Sequence, residues 1–285
     1  MDRVAMFIPA HNEEKYLGLV LEDGLRFKRE GIIDYLFVVD SKSTDATAEI
    51  ARGMGVEIIP QALGWGKGGA FLEGVRHCIG KGATIILTFD ADIIKHLKRE
   101  QAESMIRAIQ ETPSADMVIF PPIEGGRGNK EALLESLEYS GQRAFRASEL
   151  AFLFSKEKGE DGLLLPSDSR PAKIFQAIAW GYGLEEGLNH WFDRESGIRC
   201  IRLDKDKVGL IELAPRARRP ELFEQQYDEI EHIGKTIASL SDQKHLEFIQ
   251  EMNRQALARK TVLEQPKAVL RPKPNQSQGK LLTRP

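Results

Sequence analysis

Two aspartates one residue apart, Asp90 and Asp92, close a hydrophobic run from Thr84 to Phe89. Carboxylates at that spacing on a strand end repel each other, and a hard divalent cation relieves the repulsion while gathering diphosphate oxygens. Three more polar clusters follow apolar runs in the same way. Pro9-Ala10-His11-Asn12-Glu13-Glu14 follows Val4–Ile8, and Asp40-Ser41-Lys42-Ser43-Thr44-Asp45 follows Tyr35–Val39. Gly64-Trp65-Gly66-Lys67-Gly68-Gly69 follows Val56–Ile59 and carries a cation suited to phosphate charge. Each cluster alone is ordinary turn composition. Four of them together, with three carboxylates expected to be unpaired, read as one ligand site if their strands lie in one sheet.

The elements between them make that arrangement the expected one. Helical spacing runs from Asn12 to Phe27, with Leu17, Val20, Leu21 and Leu25 on one face. Ser43 is placed to cap a helix through Met54, and the glycine loop opens a helix through Ile79. A further helix over about Lys98 to Gln110 leads to a strand at Met117–Phe120. Short apolar strands alternating with helices predict an α/β fold, a mostly parallel Rossmann-like sheet flanked by helices. Such sheets bind ligands beyond the carboxyl ends of their strands.

After Pro122 the rhythm changes. Gly125-Gly126-Arg127-Gly128 reads as a loop, Lys130 to Ser155 as a long helix, and Gly159 to Pro166 as loop and short strand. Gly181 to Phe192 reads as a glycine turn and helix flanked by Trp180 and Trp191. Ile198–Leu203 and Val208–Leu213 look like a strand pair. The expected organisation is a first half over 1–122, a second half of the same domain over 123–220, a helix over 221–262 and a basic tail over 263–285. From Gln265 that tail holds four prolines, five Lys or Arg and no acidic residue, a composition that cannot bury a core.

Bulk composition excludes several classes. The net charge is −3 over 285 residues, so the whole chain is not a basic nucleic-acid binder. Cys78 and Cys200 stand far apart, in no metal-ligand spacing, which fits a reducing compartment. The longest apolar runs fall far short of the roughly 20 residues that span a bilayer. No secretory signal is visible, and a cytoplasmic location without membrane insertion is expected.

The glycine loop also matches a dinucleotide fingerprint, Gly64-x-Gly66-x-x-Gly69, with Asp90 about 20 residues on. That is the best case for an NAD-dependent oxidoreductase. Against it, the loop follows the third strand rather than the first, and it holds Lys67. The polar ends of the first two strands would also have no role.

Taken together, Ile8-Pro9-Ala10-His11-Asn12-Glu13-Glu14, Val38 to Thr47 and Asp90-Ala91-Asp92 resemble the signatures of the GT-A glycosyltransferases. Within that class the chain resembles the glucosyl-3-phosphoglycerate synthase family most. The features are Ser41 where most relatives carry a second Asp, the Gly66-Lys67-Gly68 turn, and Gly181 to Leu188 followed by Phe192-Asp193. The resemblance covers roughly residues 3 to 240 and implies transfer of a hexose from a UDP-glucose or GDP-mannose type donor to an acceptor hydroxyl, possible acceptors including 3-phosphoglycerate. It implies Pro9, Ala10 and Glu13 around the nucleoside, with Glu13 on the ribose, Asp40 and Ser41 on the base, Lys67 on base or phosphate, Asp90 on the ribose, and Gly66 and Ala91 in the same nucleotide-sugar site. It also implies Asp92 on Mg²⁺ or Mn²⁺, and Glu185 near the acceptor as its positioning group, or as base if configuration inverts. Arg127, Tyr182 and Gly183 join Glu185 as acceptor candidates. The family places a histidine metal ligand in a basic stretch before a helix. Here Ala214 to Pro220 holds Arg216, Arg218 and Arg219 but no histidine, and His232 is the nearest. Those arginines are suited to neutralising the diphosphate directly.

Other acceptors stay open: a polyprenyl phosphate, a polysaccharide, or a nucleic-acid base with the basic tail as tether. The polar helix after residue 220 could serve a homodimer.

Overall fold

The computed structural model describes residues 2–64, 66–113, 115–120, 122–124, 141–169, 172, 175, 184, 188, 199–203, 207 and 211–213. Its first half alternates β1 (Val4–Ala10), α1 (Leu17–Arg29), β2 (Tyr35–Asp40), α2 (Thr47–Gly53) and β3 (Glu57–Pro60). It continues through α3 (Gly66–Gly80), β4 (Ile85–Thr88), α4 (Arg99–Glu111) and β5 (Ala115–Ile119). Short strands follow: β6 (Pro122–Glu124), β7 (Arg143–Arg146), β8 (Phe154–Lys158), β9 (Leu164–Pro166), β10 (Arg199–Arg202) and β11 (Ile211–Leu213).

Seven strands form one sheet in the order β10-β5-β7-β4-β1-β2-β3. All pairings are parallel except those of β7, which runs antiparallel between β4 and β5. Strand side chains alternate faces, and here each face is buried under helices. Val4, Met6, Ile8 and Ala10 of β1 pack with Leu17, Val20, Leu21 and Phe27 of α1 and Met105, Ile106 and Ile109 of α4. Ala5 and Phe7 point the other way, into a cluster with Phe71 and Val75 of α3, Phe145 and Leu150. Aromatic rings tie that second layer together: Phe7 stacks on Phe37 at 6.2 Å, and Phe71 meets Phe145 edge-on at 5.4 Å. Leu184 and Leu188 are buried in the same cluster.

Three local expectations are corrected. Lys130 to Ser155 is not one helix, because Arg143–Arg146 is a strand, Ala147–Leu153 a 3₁₀ turn and Phe154 onward another strand. Ala144 and Phe145 each face a hydrophobic layer and pair with two strands distant in sequence, which outweighs local helical preference. The strands near 198–203 and 208–213 exist but do not pair with each other: β10 joins β5 and β11 joins β6. Ser43 caps no helix. Its hydroxyl oxygen accepts from the Asn12 backbone N–H at 3.0 Å, and α2 begins at Thr47. Among the described residues, no helix is long and apolar enough to cross a membrane.

Candidate active site

Register fixes which loops meet. Ala10 lies opposite Asp40, and Asp40 opposite Pro60, so β1, β2 and β3 end level. Thr88 lies opposite Phe7, which puts Asp90, two residues on, at the height of Pro9. Because β7 is antiparallel, its first residue, Arg143, faces Thr88 and Ile119, and the residues before it arrive at this same edge. All four polar clusters foreseen at strand ends therefore share one rim.

The first two clusters are laced into one surface. Ser41 N–H donates to Ala10 O at 2.9 Å, and His11 Nδ1 donates to Ser41 O at 2.8 Å. Asn12 adopts φ 56°, and its Oδ1 accepts from Thr44 N–H at 2.8 Å. Glu13 N–H donates to Thr47 Oγ1 at 2.7 Å, while Glu14 and the 45–46 turn exchange hydrogen bonds in both directions. Asp40 Oδ1 accepts from Ser43 N–H at 3.1 Å, which orients that carboxylate. Pro9, Glu13 and Ser41 are half-buried along this floor.

The third cluster is held by a residue that sequence reasoning missed. Glu73, buried on α3, accepts from Ala62 and Leu63 N–H at 3.2 and 3.0 Å through Oε2. Its Oε1 takes Arg76 Nη2 at 2.6 Å, and Arg76 reaches on to Asp161 at 3.1 Å. A Cβ on Gly69 would lie 2.5 Å from Leu63 O, so glycine there lets the start of α3 press against this loop. Gly69 thus serves helix–loop packing, a structural account of the dinucleotide-like spacing. Burial pushes the Glu73 carboxyl up, but hydrogen bonds from His77 and Arg76, the Arg76 charge and the Ala62 amide outweigh it and hold it at about 2. The ordinary value is 4.5, so this folded-state value is depressed. Its stabilisation is complete above pH 4.5 and drains away as pH falls toward 2, on the order of 3 kcal/mol in all. Urea unfolding between pH 5 and 2 should show that loss in the wild type and a flatter profile in Glu73→Gln. Equal slopes would mean the carboxylate is not held as described.

The fourth cluster carries the charges. Lys67, in the first turn of α3, places Nζ 2.7 Å from Asp90 Oδ1, with side chains 18% and 8% exposed. Gln142, fully buried, closes a two-point ring on Asp90: its Oε1 accepts from Asp90 N–H at 2.7 Å, and its Nε2 donates to Asp90 Oδ2 at 2.8 Å. Asp90 is therefore an ion-paired carboxylate, so at this strand end the expectation of unpaired carboxylates is corrected. Asp92 is half-buried beside it. The chain after Asp92 is pinned twice. Ile93 bridges to Leu213 and Ile94 N–H donates to Glu212 O at 2.9 Å, while Leu97 N–H donates to buried Asp23 Oδ2 at 2.7 Å. Asp23 also takes Arg26 at 2.8 Å and His96 at 3.1 Å.

Asp23 and Glu73 have a sequence signal: each is a carboxylate set among apolar residues at helical spacing, Val20 to Phe27 and Phe71 to Val75. Gln142 has none. Pro9, Ala10, Glu13, Asp40, Ser41, Gly66, Lys67, Asp90, Ala91 and Asp92 lie at the rim or on the elements leading to it. Arg127, Tyr182, Gly183 and Glu185 lie outside the described residues, as do Trp180, Trp191, the 214–220 stretch, His232, the 221–262 helix and the 263–285 tail.

A mostly parallel sheet with one inserted antiparallel strand, and with Asp-Ala-Asp just beyond β4 at its carboxyl edge, is the GT-A fold. Residues 6–168, more than half of the chain, match glycosyl transferase family 2, and the chain belongs to that family. An uncharacterized protein of Methanocaldococcus jannaschii is 39% identical over 97 residues, covering 34% of this chain and 38% of the relative. The 4,4'-diaponeurosporenoate glycosyltransferase of Staphylococcus aureus is 33% identical over 113 residues, covering 38% of this chain and 28% of the relative. The matches thus span well under half the length of these curated relatives. Among solved structures, glucosyl-3-phosphoglycerate synthase from Mycobacterium tuberculosis, in complex with Mn²⁺, uridine diphosphate and phosphoglyceric acid, superposes with a TM-score of 0.56. It is 21% identical, over 84% of this chain and 78% of that one.

Proposed function

We propose that this chain is a metal-dependent glycosyltransferase, moving a hexose from a nucleoside-diphosphate sugar to an acceptor hydroxyl. The observation that carries the reading is the Lys67–Asp90 pair beside Asp92, at the rim where β1 and β2 also end. Family membership supports the reaction class, and the fold likeness to a protein solved with Mn²⁺ and uridine-diphosphate-glucose supports the donor class. On this reading Pro9, Ala10, Glu13, Asp40 and Ser41 receive the nucleoside. Lys67 would supply a cation for the diphosphate, and residues 1–122 would form the donor half.

Asp92 fits a divalent ion. Mg²⁺ is commonly held by one or two carboxylates and completed by phosphate oxygens and water, and Asp92 offers hard oxygens on a doubly pinned segment. Among the described residues no group of three His, Cys, Asp or Glu converges on a metal, so Asp92 would act with donor oxygens. Bound there, the ion would offset charge on the departing diphosphate. Lys67, held by Asp90, would add a fixed cation. Acceptor recognition is assigned to residues 123–220, with Arg127, Tyr182, Gly183 and Glu185 as the residues to vary. 3-Phosphoglycerate is the first acceptor to try, given the fold neighbour's phosphoglyceric acid.

Thermal melting with UDP-glucose, GDP-mannose, NAD and NADP, each with and without Mn²⁺, tests this. A melting-temperature rise that needs both Mn²⁺ and one sugar nucleotide is the expected result and names the donor. A rise with NAD or NADP alone would overturn the reading in favour of an oxidoreductase.

A further inference from the structure

We propose that Gln142 is a positioning residue for donor binding, acting through Asp90. The inference rests on the donor-site reading above. Gln142 immediately precedes the antiparallel strand β7, and that reversal delivers it to the carboxyl ends of β4 and β5. Its side chain is wholly buried, and an amide fits what it meets there without having to bind a proton first. It faces a backbone donor, Asp90 N–H, and a carboxylate acceptor, Asp90 Oδ2, at 2.7 and 2.8 Å. A carbonyl oxygen and an NH₂ group side by side satisfy both. A carboxylate would repel Oδ2, and a hydrocarbon would leave both groups buried without those partners.

The backbone supports the same clamp. A Cβ on Gly141 would overlap the Asp90 carboxylate, so glycine lets the chain carrying Gln142 close onto it. Gln142 O also accepts from Phe120 N–H at 2.9 Å, which locks the clamp to the end of β5. Asp90 is thus gripped on one side by a neutral amide and on the other by the Lys67 ammonium. The amide holds Oδ2 without neutralising it, so the carboxylate keeps its orientation and charge toward donor and lysine alike. A second cation in place of the amide would cancel the charge that holds Lys67.

Nucleotide binding, read by calorimetry with UDP and GDP in Mn²⁺, separates this from simple space filling. Gln142→Leu fills similar volume without hydrogen bonds and should bind the wild-type's preferred nucleotide at least about tenfold more weakly. Gln142→Glu adds a titration. The group faces the Asp90 carboxylate at the end of β4 and, beyond it, Lys67 from α3, with Asp92 two residues along. Protonated, its carboxyl can still accept from Asp90 N–H and donate to Oδ2; ionised, it repels Asp90. Its affinity relative to wild type should therefore climb as pH falls from 8 to 5.5, while the Gln142→Leu ratio stays low. Gln142→Leu binding within twofold of wild type would overturn the proposal. If that variant does not fold, a Gln142→Glu ratio independent of pH overturns it alone. Wild-type protein that binds neither nucleotide would instead overturn the donor-site reading itself.

Discussion

Asp92→Ala will lose sugar transfer by about 1000-fold or more while melting close to the wild type. Removing one preorganised charge-stabilising group from such a site costs on the order of 100- to 1000-fold in turnover, and loss of a divalent ion takes its contribution as well. The fold should hold, because three neighbouring anchors remain. Asp92 is half-buried, and the segment on either side of it is anchored independently by its neighbours. Asp90 keeps Lys67 and Gln142, Ile94 keeps Glu212, and Leu97 keeps Asp23. Turnover with the donor identified by melting, together with the melting curve of the variant, decides the matter. Full activity with a normal melting curve would remove Asp92 from the metal, and Mn²⁺-dependent nucleotide binding unchanged in the variant would do the same.

The second large effect is expected from the Lys67–Asp90 pair. With side chains only 18% and 8% exposed, each charge is stabilised by the other. Breaking a buried pair by removing one partner typically costs about 3–5 kcal/mol, because the survivor is left uncompensated. Lys67→Met and Asp90→Asn should each lower the urea midpoint substantially, Lys67→Met somewhat less because Gln142 still donates to Asp90. The double substitution should recover much of that stability, since two neutral groups cost little to bury together. Activity should not recover with it. Lys67→Met should lower kcat/KM for the donor by about 100-fold, and the double variant should stay at least as low. Singles that unfold within about 0.5 kcal/mol of the wild type would show the pair to be solvated, since exposed ion pairs contribute about that little.

Much of the fold was legible in the chain because its signals are local. Val4–Ile8, Tyr35–Val39 and Thr84–Phe89 are short apolar runs that stop at polar residues, and each became a central strand within a residue or two. Helical spacing of Leu17, Val20 and Leu21 foresaw the buried face of α1, though the helix begins at Leu17 rather than Asn12. Residues 12–14 instead bond to the 43–47 loop, which no periodicity reveals. The strand ends also foretold the rim, since parallel strands joined by helices must end on one edge. Family membership and the GT-A fold bear out the resemblance read from Asp90-Ala91-Asp92 and its companion motifs.

The sequence by itself therefore determined the alternating core, the polar rim and the family. Only the tertiary structure decided how the rim's charges are partnered. Lys67 and Asp90 are 23 positions apart, and they meet because α3 starts and β4 ends at the same edge. Gln142 stands 52 positions from Asp90, in a stretch whose composition reads as helix, and it arrives because one strand inserts antiparallel between two parallel ones. Hydrophobic period and turn composition are written into neighbouring residues. The pairing of a strand or an ion across fifty residues is set by which surfaces the whole chain can bury at once, and no local window contains that.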